Sequence, residues 1–442
     1  MKRELSALVF GLMLAGCGGS SGSKKDDSAK AVTPPTPTVS AETVYRAAKC
    51  DIETPASNVR FFVHEKNGGL LSEAQSQSGA VSIPWGDNAQ HLTIAYEDIS
   101  SDGSKTLSIR SELELTSGDL GKITLFDSRL NQQCNCQNVT FDLSQIRSFY
   151  SDDYYDIFID SSRAYGSEIF TTEFCASGDS LSPVSVIIRP ISDGERGAVA
   201  RIELDQHVTG SVIQLTPNLF DAEENQGRIV NVASNREQQN FWTFARTEHG
   251  HEGYSSHGAY IPQIYPGIFD NNYIETSSFD TIFSNESSYV EYYTSKSEKI
   301  VDIAATYDMT LPEKESGYTL LAETRELLEG FGVGSETEYD FAGSHAGYQE
   351  LYMRLYGDDI PSWRVYAPIK GQIPELSLPS DIEQQFDTDK SASFILILSQ
   401  YNTSGTFNDY RAERAKFSKS DSLLWPAYFD NHQRDSIRIV NN

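Results

Sequence analysis

Val59-Arg-Phe-Phe-Val63 and His91-Leu-Thr-Ile-Ala-Tyr96 decide the fold, because each is a short β-branched and aromatic run closed off by Asn, Gly, Asp or Ser. Runs of the same kind follow at Leu107-Ser-Ile-Arg110, Lys122-Ile-Thr-Leu-Phe126, Val139-Thr-Phe-Asp-Leu143, Val184-Ser-Val-Ile-Ile188 and Ala198-Val-Ala-Arg-Ile-Glu-Leu204. Turn signals at Asn67-Gly68-Gly69, Asp102-Gly103 and Asp193-Gly194 separate them. A strand about every ten residues, with turn residues between, is the pattern of sandwiches and barrels. The expected fold class is therefore mainly β, with two or three tandem antiparallel β-sandwich domains behind a flexible N-terminal tether.

The second half keeps the pattern at Tyr289-Val-Glu-Tyr-Tyr293, Ile300-Val-Asp-Ile303, Ser362-Trp-Arg-Val-Tyr366 and Phe394-Ile-Leu-Ile-Leu398, with an aromatic-rich stretch from Tyr348 to Tyr356. Thr319 to Glu329 fits helix and strand alike. Leu320, Leu321, Thr324, Leu327, Leu328 and Phe331 would share one helical face, with Gly330 as a C-cap. Pro190, Pro217 and the polar run Glu223 to Gly227 suggest boundaries. The expected domains are residues 50–130, 131–227 and 228–442.

Residues 59–96 resemble the carboxypeptidase-regulatory-like sandwich domains, through a strand, the turn Asn67-Gly68-Gly69, and Ser78-Gly-Ala-Val-Ser-Ile-Pro84 leading into His91-Leu-Thr-Ile94. That resemblance implies an accessory β module without catalysis.

The N-terminus carries a second resemblance. Lys2 and Arg3 precede an apolar run from Leu5 to Leu14, too short to span a bilayer, and Leu14-Ala-Gly-Cys17 follows. The stretch resembles the signal and lipobox of bacterial lipoproteins. The resemblance implies that residues 1–16 are removed, that Cys17 is acylated, and that the protein meets a membrane through that lipid. Several acyl chains, at about 0.8 kcal/mol per buried CH2, make such attachment effectively permanent. Gly18, where Asp would signal retention, implies by the same resemblance the cell outer membrane. Residues 17–49, rich in Gly, Ser, Pro and Thr, are expected to form a disordered tether.

The chain has 63 acidic and 35 basic residues and a formal charge of −28. This disfavours nucleic acid as a partner. Removing Lys2, Arg3 and Glu4 with the signal takes away a net +1 and leaves about −29. Beyond Cys17, four cysteines remain, an even number in an exported chain. Two disulfides are expected, with Cys50 joined to Cys134 or Cys136 and Cys175 to the other. The alternative is a metal site using Cys134 and Cys136.

Glu248-His249-Gly250-His251-Glu252, with His257, is the densest ligand-type cluster. His249 and His251 at i and i+2 would point the same way on a strand, and His257 could complete a three-His zinc or copper site. The opposing reading is an exposed glycine–serine loop. Asp152-Asp-Tyr-Tyr-Asp156-Ile-Phe-Ile-Asp160 offers carboxylates for Ca2+ but lacks the EF-hand spacing. Gly178-Asp-Ser-Leu181 spells the nucleophile tetrapeptide of the GDSL hydrolases, yet no His has an Asp three residues before it, and a Ser without a base is not activated. Gly343-Ser-His-Ala-Gly347 centres on His345 and is not a nucleophile elbow. The 23 tyrosines suit strands and also sugar stacking. The expected function is a lipid-anchored binding, adhesion or envelope-structural module without catalysis, with a protein or glycan ligand; the alternative is metal-dependent activity at His249, His251 and His257.

Overall fold

Phe61 and Phe62 are adjacent and both fully buried, because neighbouring strand residues point to opposite faces and this sheet is covered on both. A computed structural model of the chain describes residues 36–441 apart from 152–153, 161, 165, 192–195, 208–209, 236–239, 249, 256–261, 286–287, 332–335, 358–359, 387–391, 402–404 and 421. The signal, Cys17 and most of the expected tether lie outside the described residues.

The chain is mainly β, and each predicted run in the first half forms a strand. The dominant feature among the described residues is a sheet of twelve strands. In spatial order they are Gly250–Ser255, Asn240–Thr247, Asn272–Ser284, Ser288–Lys299, His432–Asn441, Ser393–Tyr401, Glu350–Gly357, Ile360–Ala367, Lys105–Glu112, His91–Ile99, Arg60–His64 and Leu70–Gln75. All neighbours are antiparallel except Ile360–Ala367 and Lys105–Glu112, which pair in parallel. That seam joins the N-terminal strands to the C-terminal ones.

The expected partition into residues 50–130, 131–227 and 228–442 is corrected by this seam. From Pro37 to Asn442 the chain is one compact unit. Antiparallel neighbours can be joined by a tight turn, but a parallel pair requires a long connection, here everything between Glu112 and Ile360.

Sandwich packing is nevertheless present. A smaller sheet of Thr38–Arg46, Glu53–Pro55, Ala80–Pro84 and Gly118–Phe126 covers one end of the large sheet. Val39, Ile83, Ile123 and Leu125 meet Phe61, Val63, Leu92 and Ile94 in the core between them. Thr38–Arg46 corrects the expected tether of 17–49. Val39, Ala41 and Thr43 alternate into this core, so period 2 outweighs the Pro/Thr composition around them.

Residues 135–215 build a second sandwich, with Phe141 and Ile213 of one sheet facing Ile157, Val186 and Ile188 of the other. Ile187 and Val199 turn outward and pack on Ala245 and Ile274, fastening this sandwich to the large sheet. Ile300 to Ile303 does not form the expected strand; it turns out of the sheet, leaving Val301 84% exposed.

The ambiguous stretch is helical, spanning Lys314–Phe331. Leu320, Leu321 and Leu327 pack on Tyr292, Leu396 and Ile437 across the middle of the large sheet. Gly330 lies inside the helix and not at its cap, where a Cβ would approach Thr337 Cγ2 to 2.4 Å. A second helix, Phe407–Lys419, begins with a capping box formed by Thr406 and Asp409 and crosses the opposite face. Gly121 makes its docking possible. It has φ of +79°, and a side chain there would meet the Ala415 carbonyl oxygen at 2.6 Å.

Candidate functional site

The expected metal cluster is not among the residues that can be placed. His249 and His257 lie outside the described residues, and His251 falls in the edge strand Gly250–Ser255, of whose side chains nothing is described. Asp152 and Asp153 also lie outside them. Asp156 is buried at the start of Tyr155–Ile159 and paired with both Arg163 and Arg189, in keeping with an acidic segment that enters a strand.

The disulfides are Cys50–Cys134 and Cys136–Cys175. A thiol in a disulfide offers no thiolate, which removes the metal alternative at Cys134 and Cys136, although Cys136, Glu173 and Cys175 lie close together. Asp179 and Ser180 sit in an exposed turn after Ile169–Ala176.

Four described histidines belong to the core. His64 faces the Gly68 carbonyl at 3.2 Å and Thr93 Oγ1 at 3.1 Å, and burial pushes it down to about 4. The Glu114 N–H donates to His91 Nδ1 at 3.1 Å, so the other ring nitrogen carries the proton and donates to the Lys66 carbonyl. Burial pushes His432 down to about 3. His345 stands edge-on to Tyr348, 5.9 Å between ring centres.

A surface that differs from the rest of this acidic chain lies on the large sheet, beside the Phe407–Lys419 helix. Strand register places Arg438, Ile395, Arg354, Arg364 and Arg110 side by side on five successive strands. The neighbouring row on the same face reads Phe279, Tyr293, Ser436, Ile397, Tyr352, Tyr366 and Glu112. Strands lie about 4.8 Å apart and residues i and i+2 about 7 Å apart, so the rows run parallel, across the strands. The face opens toward Tyr293 and Phe279, which are 37% and 56% exposed.

At its covered end, the face is held by a buried charge cluster. Glu112 is fully buried and accepts from Arg110 Nη2 at 2.6 Å and Arg414 Nη2 at 2.5 Å, with Arg411 Nε 3.4 Å away. Burial alone would raise the Glu112 carboxyl, but Arg414, Arg110 and Arg411 hold it down to about 2. Burial lowers Arg411 to about 10 against the pull of Glu112. The Arg414 guanidinium lies over Tyr366, 4.4 Å from its ring centre, and 5.3 Å from that of Tyr410. Glu350, also buried, accepts from the Tyr401 hydroxyl at 3.1 Å, and burial raises its carboxyl. Three arginines therefore share one fully ionised carboxylate.

Farther along the row, Arg438 lies 3.5 Å from Glu291. Among the described residues no carboxylate is within ion-pairing distance of Arg354 or Arg364. Arg354 Nε donates to Ser362 Oγ at 3.0 Å and Arg364 Nη1 to the Tyr96 hydroxyl at 3.1 Å, which fixes both without neutralising either. Asp98, the acid whose field Arg364 feels, is occupied by Ser108 and the Phe126 N–H.

Two polar clefts offer a contrast. One, of about 630 Å3, is lined by Arg46, Lys49, Asp51, Phe126 and Phe174; another, of about 430 Å3, shares Arg46 and Asp51 with it and adds Lys122. Their cations are neutralised, Arg46 by Asp51, Lys49 by Glu173 and Lys122 by Glu53.

The arginine–tyrosine face was absent from the sequence reading. Its local signal is the alternation Tyr352, Arg354, Tyr356, within the stretch already noted as aromatic-rich. No protein-family model matches the chain, and no curated protein is similar enough to match it.

Proposed function

We propose that this protein is a lipid-anchored component of the bacterial outer membrane whose folded body serves as a non-catalytic binding module, with the arginine–tyrosine sheet face as its binding surface. The carrying observation is the cysteine accounting. Two disulfides take four of the five cysteines and leave Cys17, the one within Leu14-Ala-Gly-Cys17. Disulfides of this kind persist in oxidising compartments, which agrees with export. The first strand begins at Thr38, about 20 residues after Cys17.

Cys17→Ala tests the anchor. The wild-type chain, expressed in its native host, is expected to incorporate radiolabelled palmitate and to sediment with membranes. The variant is expected to lose the label entirely and to leave the membrane fraction. Equal labelling of the two proteins, or none in the wild type, contradicts the reading.

A further inference from the structure

We propose that the arginine–tyrosine face binds a carboxylate-bearing saccharide chain, laid across the strands. This rests on the reading of that face as a binding surface and names the ligand class.

The first argument is electrostatic. Arg354 and Arg364 stand directly opposite one another on adjacent strands in a chain of net charge −28. Like charges in cross-strand pairs destabilise a sheet. Each has a neighbour that fixes one nitrogen, Ser362 or the Tyr96 hydroxyl, and neither has a carboxylate among the described residues. The remaining N–H donors form two planar forks about one strand spacing apart. A carboxylate is the group such forks take in paired hydrogen bonds, and it would relieve the repulsion.

The second argument is the aromatic row. Tyr352 lies one strand step from Tyr366, with ring centres 5.1 Å apart, and beyond Ile397 and Ser436 the same row reaches the exposed Tyr293 and Phe279. Sugar rings present apolar C–H faces to such side chains while their substituents project from the ring edge. With rows about 7 Å apart, a sugar stacked on Tyr352 places a ring carboxylate toward the arginines. The face combines both requirements of an acidic sugar, one row for the ring and one for its charge.

A chain of net charge −28 repels phosphate and carboxylate polymers alike at long range, so the local fit of the two forks and the tyrosine row is what selects an acidic sugar.

The test is calorimetric titration of the full-length protein in neutral detergent with hexagalacturonate, with maltohexaose as the uncharged comparison and a single-stranded hexanucleotide as the phosphate comparison. Expected are measurable binding of hexagalacturonate that weakens with salt, no binding of maltohexaose, and none of the hexanucleotide. Arg354→Gln and Arg364→Gln should each weaken hexagalacturonate at least tenfold with unchanged melting temperature, and Tyr352→Ala should weaken it too. Lys370→Gln removes an equal charge from a remote exposed pair with Asp340 and should leave binding unaltered. Hexagalacturonate binding that ignores both arginine variants overturns the site. Maltohexaose binding lost in Tyr352→Ala, without hexagalacturonate binding, overturns the ligand class but keeps the face as a binding surface. Tighter binding of the hexanucleotide overturns the ligand class as well. No binding of any probe overturns the inference, while palmitate labelling of Cys17 judges the anchor separately.

Discussion

Glu112→Gln is expected to destabilise the protein by about 3–5 kcal/mol at pH 7, the cost of removing one partner from a buried charge cluster. The carboxylate is fully buried and faces Arg110, Arg411 and Arg414. Without it, Arg110, Arg411 and Arg414 lose the carboxylate they share at the joint between the Phe407–Lys419 helix and the sheet. The effect has a pH signature with a definite sign. The folded-state value of Glu112 is depressed to about 2 from 4.5, so its contribution is fully present above about pH 4.5 and is lost as pH falls toward 2. Urea unfolding of wild type and variant at pH 7 and at pH 3 should therefore show a gap that narrows with acid. A gap of constant size would mean that Glu112 is not held ionised by its arginines. The arginine–tyrosine face depends on the same joint, because Tyr366 stacks under both Arg110 and Arg414.

Removing the disulfides should have an effect of similar size. Cys50–Cys134 spans 84 residues and Cys136–Cys175 spans 39. Closing loops of these lengths in the unfolded chain contributes about 4–5 and about 4 kcal/mol on the chain-entropy estimate. The paired change Cys50→Ser with Cys134→Ser is expected to cost slightly more than Cys136→Ser with Cys175→Ser. The first bridge also has a local task. It pins the segment following Thr38–Arg46, the strand that closes the core over Phe61 and Ile94. Guanidinium unfolding of the wild type with and without reductant, beside the two double variants, measures both terms. Equal midpoints for oxidised and reduced protein would show that the bridges do not constrain the fold.

Strands were legible in this sequence because period-2 alternation and turn residues are local signals, as at Val59 to Val63 and Val184 to Ile188. Their assembly was not. The pairing of Lys105–Glu112 with Ile360–Ala367 joins segments some 250 residues apart, and nothing in either segment names the other. That same pairing brings Arg110 beside Arg364 and Glu112 beside Tyr366, so the arginine–tyrosine face could not be read without it. Thr38–Arg46 was hidden by composition, with Pro35, Pro37 and a Gly/Ser run beside it masking the alternation of Val39, Ala41 and Thr43. The Lys314–Phe331 helix was half legible. Its leucines matched a helical face, but a β context gave no reason to prefer it until the large sheet supplied Tyr292, Leu396 and Ile437 to cover. The disulfide partners were narrowed correctly by strain, since Cys134 and Cys136 are too close in sequence to pair with each other.

The central claim is that the folded body is held to a membrane by Cys17, and the intact mass of protein extracted from its native host's membranes tests it most directly. Expected is a chain beginning at Cys17 whose mass exceeds that of its polypeptide, with both disulfides formed, by a diacylglyceryl group, with or without an added N-acyl chain. A chain that retains residues 1–16, or one beginning at Cys17 with no added mass, would contradict it.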